Sequence, residues 1–419
     1  MAQALLQTLF NITDTFWVGR GLGPAALAGV STGGFAVWMM LALAQLSSTG
    51  LTAVASRRHG ERDAGRAAGA AYHALLLSLG LSLAVGAAGL AGLAPLFEIM
   101  ATPPEVTVPG AGYLAVYLAG LPVVFVYFVM DAAFRASGDT RTPFWLLALA
   151  VALNLVLDPA LILGWGPVPR MGIRGAALAT LLTRGTGCAV GFAILARRGL
   201  VRRVSIRTDR LAALVRIGTP VAASGAVFSL VYILLTRFTS QFGTSALAAL
   251  GVGHRVESMT YMTCVGFGVA AATAVGQNLG AGEPGRARRS GRMATLFCAG
   301  VTGLVGVAFL LWPEAIVSVF TGDPAVVRDG VSYLRIVAAA QVFMALHLVL
   351  ESAMSGAGYT LLPMAASMTF TLARLPLAAV LSGAAGLVGI WWTISGTTVA
   401  RGVAMAWIWR RGRWRRREV

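Results

Sequence analysis

A shift of 220 residues lays the second half of this chain on the first. Gly23-Pro24-Ala25-Ala26-Leu27-Ala28 falls on Gly243-Thr244-Ser245-Ala246-Leu247-Ala248, Gly60 on Gly280, and Gly65-Arg66-Ala67 on Gly285-Arg286-Ala287. Tyr113-Leu114 meets Tyr333-Leu334, Asp131 meets Glu351, Gly138 meets Gly358, and Pro143 meets Pro363. A constant offset in a strongly apolar chain points to two related helical bundles, the build of many secondary transporters.

Only 12% of the residues are charged and 57% are hydrophobic, whereas a soluble domain carries about 25% charged residues. A helix needs roughly 20 apolar residues to cross the hydrocarbon core. The apolar runs predict spans near residues 1–18, 28–55, 67–97, 109–134, 142–164, 172–196, 211–236, 246–275, 291–320, 331–354, 361–384 and 386–409. The expectation is an all-α integral membrane protein with about 12 transmembrane helices in two six-helix lobes. The lobes would be residues 1–198 and 211–410, joined by a basic linker at 199–210 and followed by a basic tail at 411–419. No polar stretch is long enough for a soluble domain, and the first apolar run lacks the basic start of a cleavable signal.

All 33 basic residues are arginine and the net charge is +17. They form no single patch of the kind that binds nucleic acid. They recur in alternate loops: Arg57 to Arg66, Arg135 and Arg141, Arg197 to Arg210, Arg286 to Arg292, and the tail from Arg410. The intervening loops carry few. By the positive-inside rule the arginine-rich side is cytoplasmic, and both termini lie there. Equivalent loops of the two repeats are both basic, so the repeats are parallel, related by a pseudo-twofold axis along the membrane normal. The linker arginines suit an anionic lipid surface. Cys188, Cys264 and Cys298 lie in apolar runs without paired spacing; they read as small buried hydrophobes rather than a disulfide framework or metal site.

A carboxylate inside the membrane is costly, about 2.5–3.5 kcal/mol at a helix centre, and calls for a reason. Asn154 and Asp158 are four apart, hence on one helix face. Pro159 follows and frees the carbonyl of Leu155. These oxygens, joined by Asp14 from the first span and the Thr180 hydroxyl, suit a hard cation. Two carboxylates in one desolvated pocket require a proton or Na⁺, with Asp14, Asn154 and Asp158 as the Na⁺ ligands. The competing reading is an Asp14–Asn154 hydrogen bond that holds two helices. The repeat mates of Asp14, Asn154 and Asp158 are Leu234, Arg374 and Ala378, so this chemistry is confined to the N-terminal lobe.

The C-terminal lobe has His254, Arg255 and Glu257, and His347 with Glu351. Glu257 is expected to pair with Arg255 or Arg374, and His347 to face Glu351. Asp131 and Glu351, as repeat mates, suggest a shared structural or gating role. Tyr113, Asp131, Glu257, His347 and Glu351 are the candidates for a substrate cavity. There is no HExxH, no Cys/His metal spacing and no GxGxxG motif, so neither enzyme nor cofactor is expected. A channel fits one-sided carboxylates less well than alternating access does.

The stretch Asn11-Ile12-Thr13-Asp14-Thr15-Phe16-Trp17-Val18-Gly19-Arg20 resembles the first-helix signature of the multidrug and toxic compound extrusion (MATE) family. So do Asn154-Leu155-Val156-Leu157-Asp158-Pro159, Gly172-Ile173-Arg174-Gly175-Ala176-Ala177-Leu178-Ala179-Thr180, and Gly276-Gln277-Asn278-Leu279-Gly280-Ala281-Gly282. The Asp14 and Asn154/Asp158 pattern is similar to the bacterial and archaeal DinF-like branch. The resemblance covers essentially the whole chain. It implies an inner-membrane antiporter that exports drugs or toxic organic cations, and other amphipathic compounds, in exchange for H⁺ or Na⁺. It places ion and drug in competition at the N-lobe cavity, which Tyr113 would line. A monomer in contact with membrane lipids is expected. About 13 residues precede Asp14, reaching roughly 20 Å of a ~30 Å core, so a truncated first helix is expected, which family members often bend at a proline. A lipid-linked precursor flippase of related architecture is the alternative; it would use Arg184, Arg237 and Arg374 for a phosphate.

Overall fold

The computed structural model describes residues 24–99, 104–165 and 169–416, together with residues 6, 7, 10, 13, 17, 18 and 22. Among these residues every regular element is helical. In chain order they are α1 (Pro24–Gly60), α2 (Ala64–Ala91), α3 (Leu93–Ile99), α4 (Pro104–Ala119), α5 (Leu121–Ala136), α6 (Arg141–Pro159) and a π-helical turn at Ala160–Gly164. There follow α7 (Ile173–Arg197), α8 (Thr208–Ser240), α9 (Thr244–Gly280), α10 (Pro284–Leu311), α11 (Pro313–Ser318), α12 (Pro324–Ala338), α13 (Ala340–Gly356) and α14 (Leu361–Arg411). A 3₁₀ turn at Arg413–Arg416 ends the described chain.

Eight of these helices are long and apolar enough to cross a membrane, or ten when each of two bent pairs counts as one span. The fold is an all-α membrane fold. In α2 only 22% of the most apolar window is buried within the protein; the rest of that apolar surface requires lipid, not water. Leu304 and Val380 likewise point outward.

Two expectations change. The predicted spans 109–134 and 331–354 are each broken: the first bends by 53° between Ala119 and Leu121, the second by 57° between Ala338 and Ala340. At the first break Pro122 sits in the opening turn of α5 and supplies no N–H. The second break has neither Pro nor Gly at its junction, yet stands within one residue of the same repeat position. The bend therefore belongs to the packing common to both repeats rather than to one helix breaker. The predicted spans 361–384 and 386–409 are separate helices within α14, divided at Gly386, which takes φ 60°, ψ −142°, a conformation closed to side-chain-bearing residues.

The chain divides into two compact units, Ala2–Ala222 and Ala223–Val419, the division falling inside α8. Among the described residues the N-terminal unit has three apolar clusters and the C-terminal unit two. In the N-terminal unit one gathers Leu118, Leu121, Phe125 and Ile162, another Leu51, Met130, Phe134 and Leu195, and a small third Phe10, Leu147 and Val151. The C-terminal unit has one around Val349, Met354 and Met405 and another around Val231, Tyr333 and Trp391.

The linker after α7 is strapped to α2. Arg202 N–H donates to the Ala68 carbonyl at 3.4 Å, and Arg207 N–H donates to His73 Nε2 at 3.1 Å. His73 Nδ1 faces the Gly69 carbonyl at 2.7 Å, so the neutral ring carries its proton on Nδ1.

Candidate functional site

Helix α6 brings Asn154 and Asp158 onto one buried face. Asn154 Nδ2 donates to Asp158 Oδ1 at 2.9 Å, and both side chains have no solvent exposure. The Asn154 amide oxygen has no hydrogen-bond donor among the described residues. Asn154 thus turns its amide N–H to the carboxylate and keeps its oxygen without a donor among these residues. A carboxylate accepts from an amide more favourably than it meets another acceptor.

Directly after Pro159 the helix widens into the π turn at Ala160–Gly164. Proline cannot complete the i→i−4 ladder, and the widened turn absorbs the mismatch. Met171 N–H returns to the Leu161 carbonyl at 3.0 Å, and α7 approaches the same carbonyl through Gly175. Thr180, two helical turns or less beyond Gly175, is buried, and its carbonyl accepts from the Thr183 hydroxyl at 3.0 Å. Asp14 lies outside the described residues.

Tyr113 is packed in the first apolar cluster of the N-terminal unit and stacks on Tyr117, with ring centroids 6.2 Å apart. Asp131 forms an ion pair with Arg135 one turn onward. Its repeat mate Glu351 looks one turn back, to His347 Nε2 at 3.2 Å. The two mates share a position but not a partner type.

The polar residues of the C-terminal unit form a larger constellation than the sequence suggested. Glu257 on α9 accepts hydrogen bonds from the Tyr333 hydroxyl on α12 and from Gln341 Nε2 on α13, the latter at 2.8 Å. These two, rather than Arg255 or Arg374, hydrogen-bond it. Arg401 Nη2 donates to His347 Nε2 at 2.5 Å and to Ser367 Oγ at 2.8 Å. A guanidinium cannot accept, so His347 Nε2 is the acceptor and the ring is neutral. Glu351 accepts a hydrogen bond from Ser367 Oγ at 2.6 Å. His347 and Glu351 are neighbours, as expected, but not an ion pair.

Arg374, at the repeat position of Asn154, donates to Thr397 Oγ1 at 2.8 Å, Thr398 Oγ1 at 3.0 Å and the Tyr232 hydroxyl at 3.1 Å. Sequence reading missed Tyr333, Gln341, Ser367 and Arg401 as members of these networks. Tyr333 was accessible as the repeat mate of Tyr113; the others carry no signal of their own. Cys264 and Cys298, read as unrelated, bring their thiols to 3.5 Å between α9 and α10. Among the described residues no group of three or more His, Cys, Asp or Glu side chains is placed to hold a metal ion.

The family model MatE matches residues 1–160 and again 220–380. The two matched stretches stand in the register of the internal repeat. This chain belongs to the MatE family. A probable multidrug resistance protein NorM of Thermotoga maritima is 28% identical, over 100% of this chain and 92% of its own. An FAD transporter of Shewanella oneidensis is 27% identical, over 96% of this chain and 90% of its own. Among solved structures, a MOP superfamily transporter from Pyrococcus furiosus superposes with a TM-score of 0.91 at 24% identity, covering 100% of this chain and 94% of that one. MatE membership agrees with the two-lobed, twelve-helix membrane fold. Both buried polar centres of this MatE chain, one per unit, lie on helices of that fold: α6 in the N-terminal unit, and α9, α13 and α14 in the C-terminal unit.

Proposed function

We propose that this MatE chain is a secondary active efflux antiporter of the inner membrane, with both termini cytoplasmic. It exports amphipathic and cationic organic compounds in exchange for H⁺ or Na⁺. The observation that supports this most directly is Asp158: a carboxylate without solvent exposure, steadied by Asn154 at the mouth of a π turn. A structural carboxylate in an apolar helix is expensive, and a site that loads and releases a cation gives it a use. Asp14 supplies the second carboxylate of the site, and Thr180 a hydroxyl. The names of the relatives, a multidrug resistance protein and an FAD transporter, support small-molecule export without agreeing on one substrate.

In this reading the exchange works through competition. A proton or Na⁺ at Asp14 and Asp158 neutralises the pocket, and a cationic substrate replaces it. The flippase alternative would use Arg184, Arg237 and Arg374 together for a phosphate. Arg184 instead packs over the rings of Phe10 and Tyr127, at 5.6 and 5.7 Å. The deciding experiment is efflux of a fluorescent cation from everted vesicles, with Na⁺ and pH gradients imposed separately. Efflux that follows one gradient and disappears with it is expected. Efflux indifferent to both gradients would sink the antiporter reading.

A further inference from the structure

Arg374 and Arg401 are both more than nine-tenths buried. Among the described residues, neither guanidinium has a carboxylate oxygen within 4.0 Å. Every hydrogen bond that Arg374 makes goes to a neutral hydroxyl. The Thr397 and Thr398 hydroxyls give their own protons to backbone carbonyls of α14, at 2.7 and 2.8 Å, and so turn lone pairs to the guanidinium. Two acids lie in the neighbourhood without touching either guanidinium directly: Glu257 accepts from Tyr333 and Gln341, and Glu351 accepts from the Ser367 hydroxyl that in turn accepts from Arg401.

The surroundings hold further donors without acceptors. Arg401 Nε–H and Trp391 Nε1–H are buried and have no hydrogen-bond partner among the described residues. The Trp391 ring meets Tyr333, Tyr333 meets His254, and His254 meets the Tyr232 ring that Arg374 also touches. Tyr232, Glu257 and Thr398, which border this centre, keep partial exposure.

The repeat adds an independent argument. Position 154 in the first repeat carries an amide that serves a carboxylate at 158. Its mate carries the Arg374 guanidinium, and the mate of Asp158 is Ala378. The same helix face, at positions one turn apart, thus presents negative charge in the N-terminal unit and positive charge in the C-terminal unit. A buried guanidinium with no direct carboxylate contact is only partly compensated, and an oxyanion supplied by a ligand adds paired charge-assisted hydrogen bonds.

We propose that the Arg374–Arg401 centre binds the oxyanion, carboxylate or phosphate, of an amphipathic organic substrate. This rests on the exporter reading and adds to its substrates amphipathic compounds that also bear an acidic group, zwitterions among them. The test uses a matched dye pair: tetramethylrhodamine methyl ester and the free acid, which adds one carboxylate. Binding of each to the purified full chain is followed by fluorescence anisotropy. Arg374→Gln and Arg401→Gln each weaken the free acid about tenfold or more, the worth of one lost charge-assisted contact, and leave the ester within about twofold. Equal weakening of both dyes would mean that the arginines only hold the unit together, and overturns the proposal.

If the Gln variants fail to insert, Arg374→Lys and wild-type competition carry the test. Excess benzoate displaces the free acid but not the ester, and Arg374→Lys weakens the free acid selectively. No displacement by benzoate overturns the proposal. Displacement by phosphatidylglycerol in nanodiscs, but not by benzoate, assigns the centre to a lipid headgroup and also overturns it. Saturable binding of neither dye counts against the exporter reading as well; binding of the ester with no arginine-dependent term for the acid counts against this proposal alone.

Discussion

Asn154 holds Asp158 by a single 2.9 Å hydrogen bond along one face of α6, and neither side chain reaches solvent. In the second repeat the same two positions are Arg374 and Ala378, where no carboxylate exists to be held. The two repeats share the helix, but one carries a carboxylate on this face and the other a guanidinium one turn away.

Asp158→Asn keeps the shape of the side chain and removes its charge. The protein should reach the membrane at wild-type abundance and lose export by at least about tenfold, since a neutral amide cannot exchange a cation. Leu234→Ala and Ala378→Gly, at the repeat positions without carboxylates, should retain most transport. Resistance and vesicle efflux, normalised to protein level, provide the check; an Asp158→Asn protein that still exports removes the site.

Gly175 is where α7 meets the π turn. A methyl group there would stand 2.5 Å from the Leu161 carbonyl oxygen, which belongs to backbone and cannot swing aside. Gly175→Ala should therefore cost about 1–3 kcal/mol of stability. Because the displaced turn follows Asp158 directly, export should fall more than abundance does. Thermal unfolding of purified protein and transport per molecule separate the two effects.

Tyr333 is fully buried, and its hydroxyl donates to Glu257. Tyr333→Phe leaves the carboxylate one donor short, a loss of about 1–3 kcal/mol. Glu257→Gln in the same chain should make the second substitution cheaper than it is alone, the sign of a shared interaction. Strict additivity in a double-mutant cycle would show that the hydrogen bond contributes nothing.

Asp139, in the turn between α5 and α6, gives a pH dependence. Partial burial pushes its carboxyl up, but the Thr142 hydroxyl at 2.5 Å, the Thr142 N–H at 3.0 Å, Arg198 at 2.6 Å and the Arg141 N–H outweigh it and hold it below its usual 3.8. A depressed folded value stabilises the protein above the unfolded value and loses that contribution as pH falls through the folded one. Unfolding temperature should thus decline as pH drops below about 4, with a shallower decline in Asp139→Asn. The effect is small because the ion pair is largely solvated. Identical slopes in the two proteins would remove it.

Ser205 is exposed in the linker, three residues from Arg202, whose N–H bonds to α2. A single cysteine at Ser205, in a background lacking Cys188, Cys264 and Cys298, should resist impermeant maleimide in intact cells and react once they are permeabilised. Labelling of intact cells would invert the orientation that the arginine distribution predicts.

Much of this molecule is one-dimensional information. The apolar runs, the offset of 220 and the arginine-rich loops are properties of composition and order, so membrane class, helical content and the paired architecture could be read without coordinates. The Asn154–Asp158 contact was legible for the same reason: four residues on a helix are one turn, and the period alone makes them neighbours. Other features depended on how helices rotate and slide against one another. Glu257 finds Tyr333 and Gln341 at separations of 76 and 84 residues, and Arg374 reaches Tyr232 across 142. The two bends within predicted spans, the meeting of Cys264 with Cys298, and the membership of Arg401 in the His347–Ser367 network belong to this class. In lipid the apolar faces of helices gain little by leaving their solvent, so register is decided by close fits of small residues and by buried polar pairs. Gly175 against the Leu161 carbonyl is such a fit. Those choices are three-dimensional, and no spacing in the chain spells them out.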